Sequence, residues 1–583
     1  MATPLRLAPL VLSVLLLLAL PAAALAAWPH DPLVNLPVCI ADDGQVSPVG
    51  VSDGAGGVIL VWQDFRNGNY DLYAQRVSAA GVPLWAADGV VVCDAAEAQM
   101  VPVITTDRAG GAIVAWRAPR GGAQDIYVQK LSATGVPQWT ANGLAVCTAT
   151  GNQDYPQVAP DSAGGAFVAW VDGRAVPVTG NDIYVQRVST TGIVRFAANG
   201  IALCTATGDQ QDVAMVPDAS GGSVVVWDDL RAGNYDVYAQ RVAPNGWLLP
   251  TVNGVAVCTA AQNQVAPRLV CDGGGGTIVA WTDSRAGNYD VYAQRLDWSG
   301  AATWAANGLP VTSATGTQSG VRIAPDGFGG AVFAWTDERS GTADVYVQRV
   351  DLSGAMLWTA NGVALCTASG YQEVGKVVTD ASGTAIVTWA DGRNGVHFDG
   401  YAGAVDASGA VQWRANGVAF CTAPGNMSTP WAVSDGMGGA IAYWYDGRRD
   451  INDVWCQKVD RFGALGDPAP TITRVADVPF DQGGYVQLEW TASYLDTFPG
   501  FDVARYTVWR RVPEALSSGL AAAGSGPGRI VLAGVEGARA VYWQHVGTQL
   551  ARGLPGYSYV AAPTSDSMAG ANQCTAFMGM AEA

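Results

Sequence analysis

The sequence predicts an all-β fold whose bulk is one eight-bladed β-propeller, because it contains eight copies of a unit of about 54 residues. Each unit has one tryptophan, at intervals of 54 to 57 residues, and usually an Asp-x-Tyr-x-Gln-Arg segment after it. The composition agrees, since 72 Gly and only 14% charged residues suit short strands joined by tight turns. The tryptophans are Trp62, Trp116, Trp170, Trp227, Trp281, Trp335, Trp389 and Trp444.

Each unit divides into four short strands, named a to d here, with turn residues between them. In the third unit these strands are predicted at residues 157–160, 166–170, 183–188 and 200–204. Strand b is apolar throughout, as in residues 58–62, which predicts burial on both faces between neighbouring blades. Four strands in this length are typical of a propeller blade, and eight blades can close one ring. Two smaller rings are the alternative.

The N-terminus is expected to close the ring. The eighth unit stops after its strand c at residues 453–459, and a spare strand d lies at residues 36–40. An N-terminal strand that completes blade eight would remove the free sheet edges. Cys39 and Cys456 would then lie on neighbouring strands, where a disulfide is possible. The other cysteines of the repeat lie one blade apart, which is too far for bridging.

The first 26 residues have the pattern of a secretory signal peptide, with Arg6, an apolar run at residues 10–20 and a small-x-small site at residues 24–26. The apolar run is too short to span a bilayer, and no later run is long enough. The sequence therefore predicts a secreted or cell-surface protein without a membrane span. Its expected parts are a signal peptide (1–26), the propeller (27–466), a linker (467–470) and a C-terminal module (471–583).

A Trp-x-Asp-x-Arg motif ends strand b in seven units, while unit two keeps only Arg120. A carboxylate beside a guanidinium could serve as an acid/base and oxyanion pair. Catalysis needs one asymmetric constellation, however, so a pair copied into nearly every blade is better explained as a charge-assisted hydrogen bond that fixes a turn. The pairs are Asp64 and Arg66, Asp172 and Arg174, Asp229 and Arg231, Asp283 and Arg285, Asp337 and Arg339, Asp391 and Arg393, and Asp446 and Arg448.

A glutamine follows the repeated cysteine position by six residues in seven units. Because strands alternate in direction, the d-to-a and b-to-c connections emerge on the same face of the ring. The glutamines on that face either bond to the backbone or form a polar rim for a ligand. They are Gln45, Gln99, Gln153, Gln210, Gln264, Gln318 and Gln372.

The repeat is interrupted in two b-to-c loops, at residues 175–180 and 394–398. Insertions in repeat proteins commonly collect on the binding face, although neutral loop drift is the alternative explanation. These loops and nearby aromatic residues predict a ligand face formed by Tyr155, Val176, Thr179, Tyr371, His397, Phe398 and Trp431.

Several functional classes are disfavoured by composition and motifs. A net charge of −18 disfavours sequence-independent binding of nucleic acid, because such binding needs clustered Lys and Arg. The three histidines form no metal-binding pair, and no P-loop or nucleophile elbow occurs. The sequence predicts no cofactor, no metal site and no catalytic motif.

The C-terminal module has Trp490, Tyr506 and a Tyr-Ser-Tyr-Val segment at residues 557–560. In order and setting these residues resemble the core Trp and Tyr positions of fibronectin type III domains. The resemblance implies a β-sandwich that acts as a spacer or binding module. The propeller repeats, with their Trp-x-Asp-x-Arg and Asp-x-Tyr-x-Gln-Arg segments, are similar to arrays in bacterial exported proteins of unassigned role.

These observations favour a secreted, non-catalytic binding or adhesion protein whose propeller presents a loop face to an extracellular glycan or protein. The first alternative is a glycan-active hydrolase or lyase with carboxylates in the propeller channel. A channel-lining carboxylate pair, found in one place only, would favour that alternative. The second alternative is a structural protein of the cell surface or envelope.

Overall fold

The computed structural model describes residues 28–466 and seven C-terminal strands within 472–582, together with residue 552. All regular secondary structure in these residues is β-strand. The predicted signal peptide and the 467–470 linker lie outside the described residues.

Residues 28–466 form an eight-bladed propeller of antiparallel four-stranded sheets, with one two-residue strand added in blade four. In chain order the strands are β1 (Leu36–Cys39); β2 (Gln45–Ser52), β3 (Val58–Asp64), β4 (Asp71–Val77) and β5 (Val90–Cys93) in blade one; β6 (Met100–Thr106), β7 (Ala112–Ala118), β8 (Asp125–Leu131) and β9 (Leu144–Cys147) in blade two; β10 (Gln153–Pro160), β11 (Ala166–Asp172), β12 (Asp182–Val188) and β13 (Ile201–Cys204) in blade three; β14 (Gln210–Pro217), β15 (Ser223–Asp229), β16 (Asp236–Val242), β17 (Leu248–Leu249) and β18 (Val255–Cys258) in blade four; β19 (Gln264–Cys271), β20 (Thr277–Asp283), β21 (Asp290–Leu296) and β22 (Leu309–Thr312) in blade five; β23 (Gln318–Pro325), β24 (Ala331–Asp337), β25 (Asp344–Val350) and β26 (Val363–Cys366) in blade six; β27 (Gln372–Thr379), β28 (Ala385–Asp391), β29 (Asp399–Val405) and β30 (Val418–Cys421) in blade seven; and β31 (Trp431–Ser434), β32 (Ala440–Asp446) and β33 (Asp453–Val459) in blade eight.

The first strand of each blade is innermost, because these strands contact one another around the ring. They surround the ring axis, and the region that they enclose is called the channel here. The second strands are buried on both faces, as predicted, and β3 is buried at every residue. The cores lie between blades: one cluster joins Val61 and Leu72 of blade one to Val114 and Trp116 of blade two. The repeated apolar strand therefore provides the contact surface between neighbouring blades.

The ring closes through its N-terminus, as predicted. Strand β1 pairs with β33 and supplies the outermost strand of blade eight. Trp28 is buried and donates its indole N–H to the carbonyl of Ala79 in blade one at 2.8 Å. The Asn35 amide donates to the carbonyl of Phe420 in blade seven at 2.8 Å. Residues 28–39 thus join the two ends of the array.

The predicted disulfide between Cys39 and Cys456 is not formed, and both cysteines are free. Cys456 lies opposite Leu36, whereas Cys39 lies opposite Val454 beyond an irregularity in the pairing. Three residues of strand correspond to roughly 10 Å, which exceeds the reach of a disulfide. Burial raises the pKa of the Cys39 thiol to about 12. Both residues pack as small apolar side chains between blades eight and one.

Each Trp-x-Asp-x-Arg turn is organised around its buried carboxylate. In blade one, the indole N–H of Trp62 donates to Asp64 Oδ2 at 2.8 Å. Arg66 donates to both carboxylate oxygens, from Nε at 2.7 Å and from a terminal nitrogen at 2.6 Å. The guanidinium carbon also lies 3.9 Å from the ring centroid of Tyr73. The geometry is that of a turn fixed by charge-assisted hydrogen bonds and a cation–π contact.

The same geometry occurs in all seven blades that carry the motif. The arginine-to-aspartate distance is 2.5–2.7 Å, and the indole-to-aspartate distance is 2.7–2.8 Å. The guanidinium also reaches the preceding blade: Arg66 donates to Cys39 Sγ at 3.1 Å, and Arg174 donates to Cys147 Sγ at 3.3 Å. The motif therefore joins neighbouring blades as well as fixing its own turn.

A second ion pair joins blades on the opposite face, where a-to-b turns meet c-to-d turns. Arg76 bonds to Asp53 Oδ2 and donates to the carbonyl of Ala133 in the next blade at 3.1 Å. Arg187 repeats this arrangement with Asp161 and the carbonyl of Pro244. The sequence shows both partners, but their pairing across the blade becomes evident only in the structure.

Beyond the propeller, the described strands form two antiparallel sheets. One contains β34 (Ile472–Asp477), β35 (Val486–Thr491) and β39 (Gly556–Ala561); the other contains β36 (Arg505–Val512), β37 (Ile530–Glu536), β38 (Arg539–Leu550) and β40 (Phe577–Glu582). Trp490 of the first sheet meets Tyr506 of the second edge to face, at 5.9 Å between ring centroids. The fibronectin type III assignment stays a prediction.

Blade two provides a natural test of the buried carboxylate. Ala118 occupies the aspartate position, and Trp116 Nε1 and Arg120 Nε have no hydrogen-bond partner. We expect Ala118→Asp to give both donors an acceptor and to raise the free energy of unfolding by about 1–3 kcal/mol. Chemical denaturation of the full chain measures this change.

The matched control is Asp283→Ala, which recreates the blade-two arrangement in blade five. It is expected to lower the free energy of unfolding by a similar amount, because it leaves the Trp281 and Arg285 donors without Asp283. A neutral effect of both substitutions would show that the carboxylate is not a main source of turn stability.

A ring of buried aspartates begins every third strand and predicts pH-dependent stability. Burial raises the pKa of all eight carboxyls, and those of Asp182 and Asp453 rise to about 6. The folded state therefore binds these protons more tightly than the unfolded state does, and this stabilisation is lost as the pH rises from about 4 to about 6. Thermal unfolding should give a higher midpoint at pH 5 than at pH 7.5.

The double variant Asp182→Asn, Asp453→Asn should reduce this pH dependence, because it removes the two carboxyls whose pKa values rise to about 6. Carboxyls with lowered pKa, such as Asp351, lose their contribution only below their ordinary range, outside this window. A midpoint that increases from pH 5 to pH 7.5 would contradict the expectation.

Candidate functional site

The b-to-c and d-to-a connections lie on one face of the ring, which we call the loop face. The backbone N–H of Gln99, which follows a d-to-a connection, donates to the carbonyl of Tyr70 in a b-to-c connection at 2.6 Å. The N–H of Phe65 in a b-to-c connection donates to Gly44 in the preceding d-to-a connection at 2.9 Å. The two kinds of connection therefore form one continuous rim, as strand alternation predicts.

The repeated glutamines are buried within this rim. All seven have no exposed surface, and Gln153 Nε2 donates to the carbonyls of Thr150 and Gly151 at 3.4 and 3.1 Å. Each glutamine thus supports the connection that precedes it. The alternative of a polar ligand-binding rim is wrong for these residues, because their amides cannot reach a ligand.

The predicted ligand-face residues of blade three lie together at the rim. Tyr155 is 56% exposed and Val176 is 53% exposed. The carbonyl of Thr179 accepts the N–H of Gly208 in the next d-to-a connection at 2.8 Å. The longer loop is therefore tied to the neighbouring blade and holds Val176 toward solvent.

A second group lies on blade seven, four blades away and so across the axis from blade three. Tyr371 is 46% exposed and packs edge to face on Phe398, with 6.2 Å between ring centroids. His397 Nε2 lies 3.1 Å from Asp399 Oδ1. The sequence-predicted face therefore consists of two patches on opposite sides of the ring.

Trp431 belongs to neither patch. It lies on the innermost strand β31 of blade eight, opposite Tyr443 in the strand pairing, and is 41% exposed. Its register position is the one that Val49 holds in blade one.

The same register position carries a cation in three consecutive blades. Arg268, Arg322 and Lys376 lie opposite Ala280, Ala334 and Thr388, each four residues after its blade's repeated glutamine. All three are partly exposed. The equivalent residues of blades one to four are Val49, Val103, Gln157 and Ala214. Together with Trp431, the three cations form a one-sided group, which we call the channel cluster.

Sequence reasoning missed these three cations, although aligning the repeat at the glutamine would have shown them. Their charge breaks the repeat as clearly as the two loop insertions do. The sequence-based prediction considered breaks in the loops, whereas these cations lie on innermost strands, where apolar residues are expected.

The channel cations are crowded and lack direct counter-ions. In the described part of the chain none forms an ion pair, and Arg322 Nε donates to the backbone carbonyl of Gly375 at 2.8 Å. Burial, and then the neighbouring Arg268, lowers the pKa of Arg322 to about 10. Burial, and then Arg322 and Arg268, lowers the pKa of Lys376 to about 8. The cluster therefore concentrates positive charge without a direct ion pair among the described residues.

Carboxyls lie on the neighbouring part of the ring, at blade four. Asp228 is fully buried, and its Oδ2 accepts the N–H of Ala266 at 3.3 Å. Burial, and then the charge of the nearby Asp212 carboxyl, raises the pKa of Asp228 well above its usual range. Both carboxyls act electrostatically on Arg268. Blade four thus carries this carboxyl pair, and the innermost strands of the next three blades carry the cations.

The described residues contain neither a metal-binding cluster nor a membrane-spanning helix. No group of three or more His, Cys, Asp or Glu side chains there could hold a metal ion. No helix there has the length and apolar character needed to cross a bilayer.

No protein family model matches the sequence, and no curated protein matches it. Among solved structures, a puromycin hydrolase aligns over 80% of this chain and 61% of its own, with 15% identity and a TM-score of 0.37. A Mycobacterium tuberculosis puromycin-hydrolyzing peptidase aligns over 72% and 61%, with 14% identity and a TM-score of 0.38. An ulvan lyase aligns over 65% and 87%, with 12% identity and a TM-score of 0.34. The chain spans about three fifths of the length of the first two, and these likenesses assign no activity.

Proposed function

We propose that the protein is a secreted, non-catalytic binding protein whose propeller presents its loop face and channel mouth to an extracellular glycan or protein. The signal-peptide pattern of the first 26 residues supports export, and the C-terminal module would extend or couple the propeller.

One observation carries the proposal: the repeated polar residues are used inside the protein, whereas three aromatic residues that do not repeat are exposed. The Asp-Arg pairs and the glutamines hold turns and connections. Tyr155, Tyr371 and Trp431, by contrast, are between 41% and 56% exposed. Exposed aromatic side chains on a rigid support are typical of recognition surfaces, since they offer large contact area at small entropic loss.

The carboxyl pair of blade four is the feature that bears on a glycan-active enzyme. Asp212 and Asp228 occur at one place in the ring, as that alternative requires. Hydrolases that use two carboxyls hold them about 5 to 10 Å apart, so that a sugar fits between them. Asp228 is instead fully buried, and its Oδ2 accepts the backbone N–H of Ala266 rather than facing open space. This arrangement favours a binding role over paired acid/base chemistry.

A glycan array and a panel of hydrolase and lyase substrates, both run on the mature full-length protein, test the proposal. We expect binding without turnover. Tyr371→Ala should weaken that binding at least fivefold if blade seven contacts the ligand, because it removes an exposed aromatic contact. A loop graft tests blade three: residues 175–181 are replaced by the Ala-Gly-Asn-Tyr segment found at residues 232–235 of blade four.

The matched control is Trp247→Ala. Trp247 is 72% exposed but lies in a c-to-d connection on the opposite face, so binding should not change. Turnover of any substrate would contradict the non-catalytic assignment. Binding that survives both loop-face changes and a Trp431→Ala substitution would show that the ligand does not use this face.

A further inference from the structure

The channel cluster is not required by the fold. Blades one to four build the same strand with Val49, Val103, Gln157 and Ala214 at the equivalent position. Three like charges on adjacent blades repel one another, and burial makes their charged forms less stable still. The fold therefore accepts an uncharged residue at this position, and its needs alone do not explain three cations.

Trp431 adds a second, independent feature to the cluster. The guanidinium carbon of Arg322 lies 5.4 Å from its ring centroid, and Lys376 Nζ lies 5.6 Å from it. The indole is 41% exposed, so part of it is open to solvent. Two cations beside an accessible aromatic surface can hold a ring-shaped ligand that carries a negative group.

We propose that the channel cluster binds an acidic sugar, with its ring against Trp431 and its carboxylate or sulfate held by Arg322 and Lys376. Arg268 extends the positive charge toward blade five. This inference deepens the proposed function, on which it rests: it names the class of ligand and moves the centre of binding from the outer loops into the channel.

Two other anions fit the observations less well. Inorganic phosphate would use the cations but not the aromatic surface. A nucleic acid would use both but would need a basic surface for its backbone, and this chain has a net charge of −18. The acidic surroundings favour a short acidic segment that enters the channel over a long polyanion that lies across the face.

Lys376 gives the proposed site a characteristic pH dependence. The groups that act on it are the cations Arg322 and Arg268, and Trp431 lies beside it; the carboxylate of Glu373 acts on Arg322. Because the pKa of Lys376 is about 8, its charge is lost as the pH rises through 8. Affinity for an acidic sugar should therefore fall between pH 7 and pH 9.

The test uses isothermal titration of the mature full-length protein with three probes: a trigalacturonate, a sulfated galactose oligosaccharide and neutral cellotriose. The first two distinguish a carboxylate from a sulfate. We expect at least one acidic probe to bind at pH 7 and cellotriose to bind at least tenfold more weakly. Trp431→Ala should weaken the acidic probe at least fivefold.

The charge variants use a residue that the repeat already accepts at this position, since Gln157 occupies it in blade three. Lys376→Gln and Arg322→Gln should each weaken acidic-probe binding at least tenfold without lowering the midpoint of thermal unfolding, because each removes a charge that its neighbours repel. Arg195→Ala, which removes an exposed cation from a c-to-d connection on the opposite face, is the charge-matched control and should change nothing. Lys376→Arg should retain affinity at pH 9, where the parent protein loses it.

The outcomes separate the two proposals. Neutral-glycan binding that depends on Tyr371 but not on the channel cations would overturn this inference and leave the proposed function intact. Acidic-probe binding that is unaffected by Lys376→Gln and Arg322→Gln would also overturn it. No binding to any of the three probes would overturn it as well, and a silent glycan array would then oppose the proposed function itself.

Discussion

The buried carboxylate of the Trp-x-Asp-x-Arg turn is the contact on which most of the architecture depends. In blade three it accepts the indole N–H of Trp170 at 2.7 Å and two donors of Arg174 at 2.7 and 2.8 Å. A buried charge is tolerable only when it is paired and its hydrogen bonds are made. Since Arg174 also reaches Cys147 of the preceding blade, the same carboxylate fixes a turn and orients two blades. The position of the loop face follows from it.

Repetition explains why one blade can lack this carboxylate. In blade two, Arg120 still donates to Cys93 and to the carbonyl of Asn142, and it still lies over Tyr127. The contacts between blades survive while the contacts inside the turn are lost. Each blade contacts mainly its two neighbours, and the ring is closed. The neighbouring blades therefore hold blade two in place although it lacks the hydrogen bonds of the carboxylate. The fold therefore tolerates sequence change at single units, and the channel positions could diverge from the repeat without opening the ring.

The repeat allowed the blade number, the strand order and the closure by β1 to be predicted from sequence, because all three follow from counting units and their missing strand. The disulfide prediction failed because strand register near an irregular pairing is set by packing, which spacing alone does not specify. Tyr155 and Tyr371 were predicted to lie on a ligand face and are exposed, but their separation across the axis depends on the closed ring. Arg322 and Lys376 were missed because their neighbourhood exists only when the innermost strands of adjacent blades meet.

The channel cluster would select acidic ligands over neutral ones. Arg322 and Lys376 are crowded and partly desolvated, so a neutral ligand that enters the channel would remove more water from them without offering a negative partner. An acidic ligand replaces that water with a charge-assisted contact and also relieves the repulsion between the two side chains. The repulsion between the like charges in the free protein thus favours the binding of an acidic ligand over a neutral one. An apolar channel, such as blades one and two would build with Val49 and Val103, could not provide it.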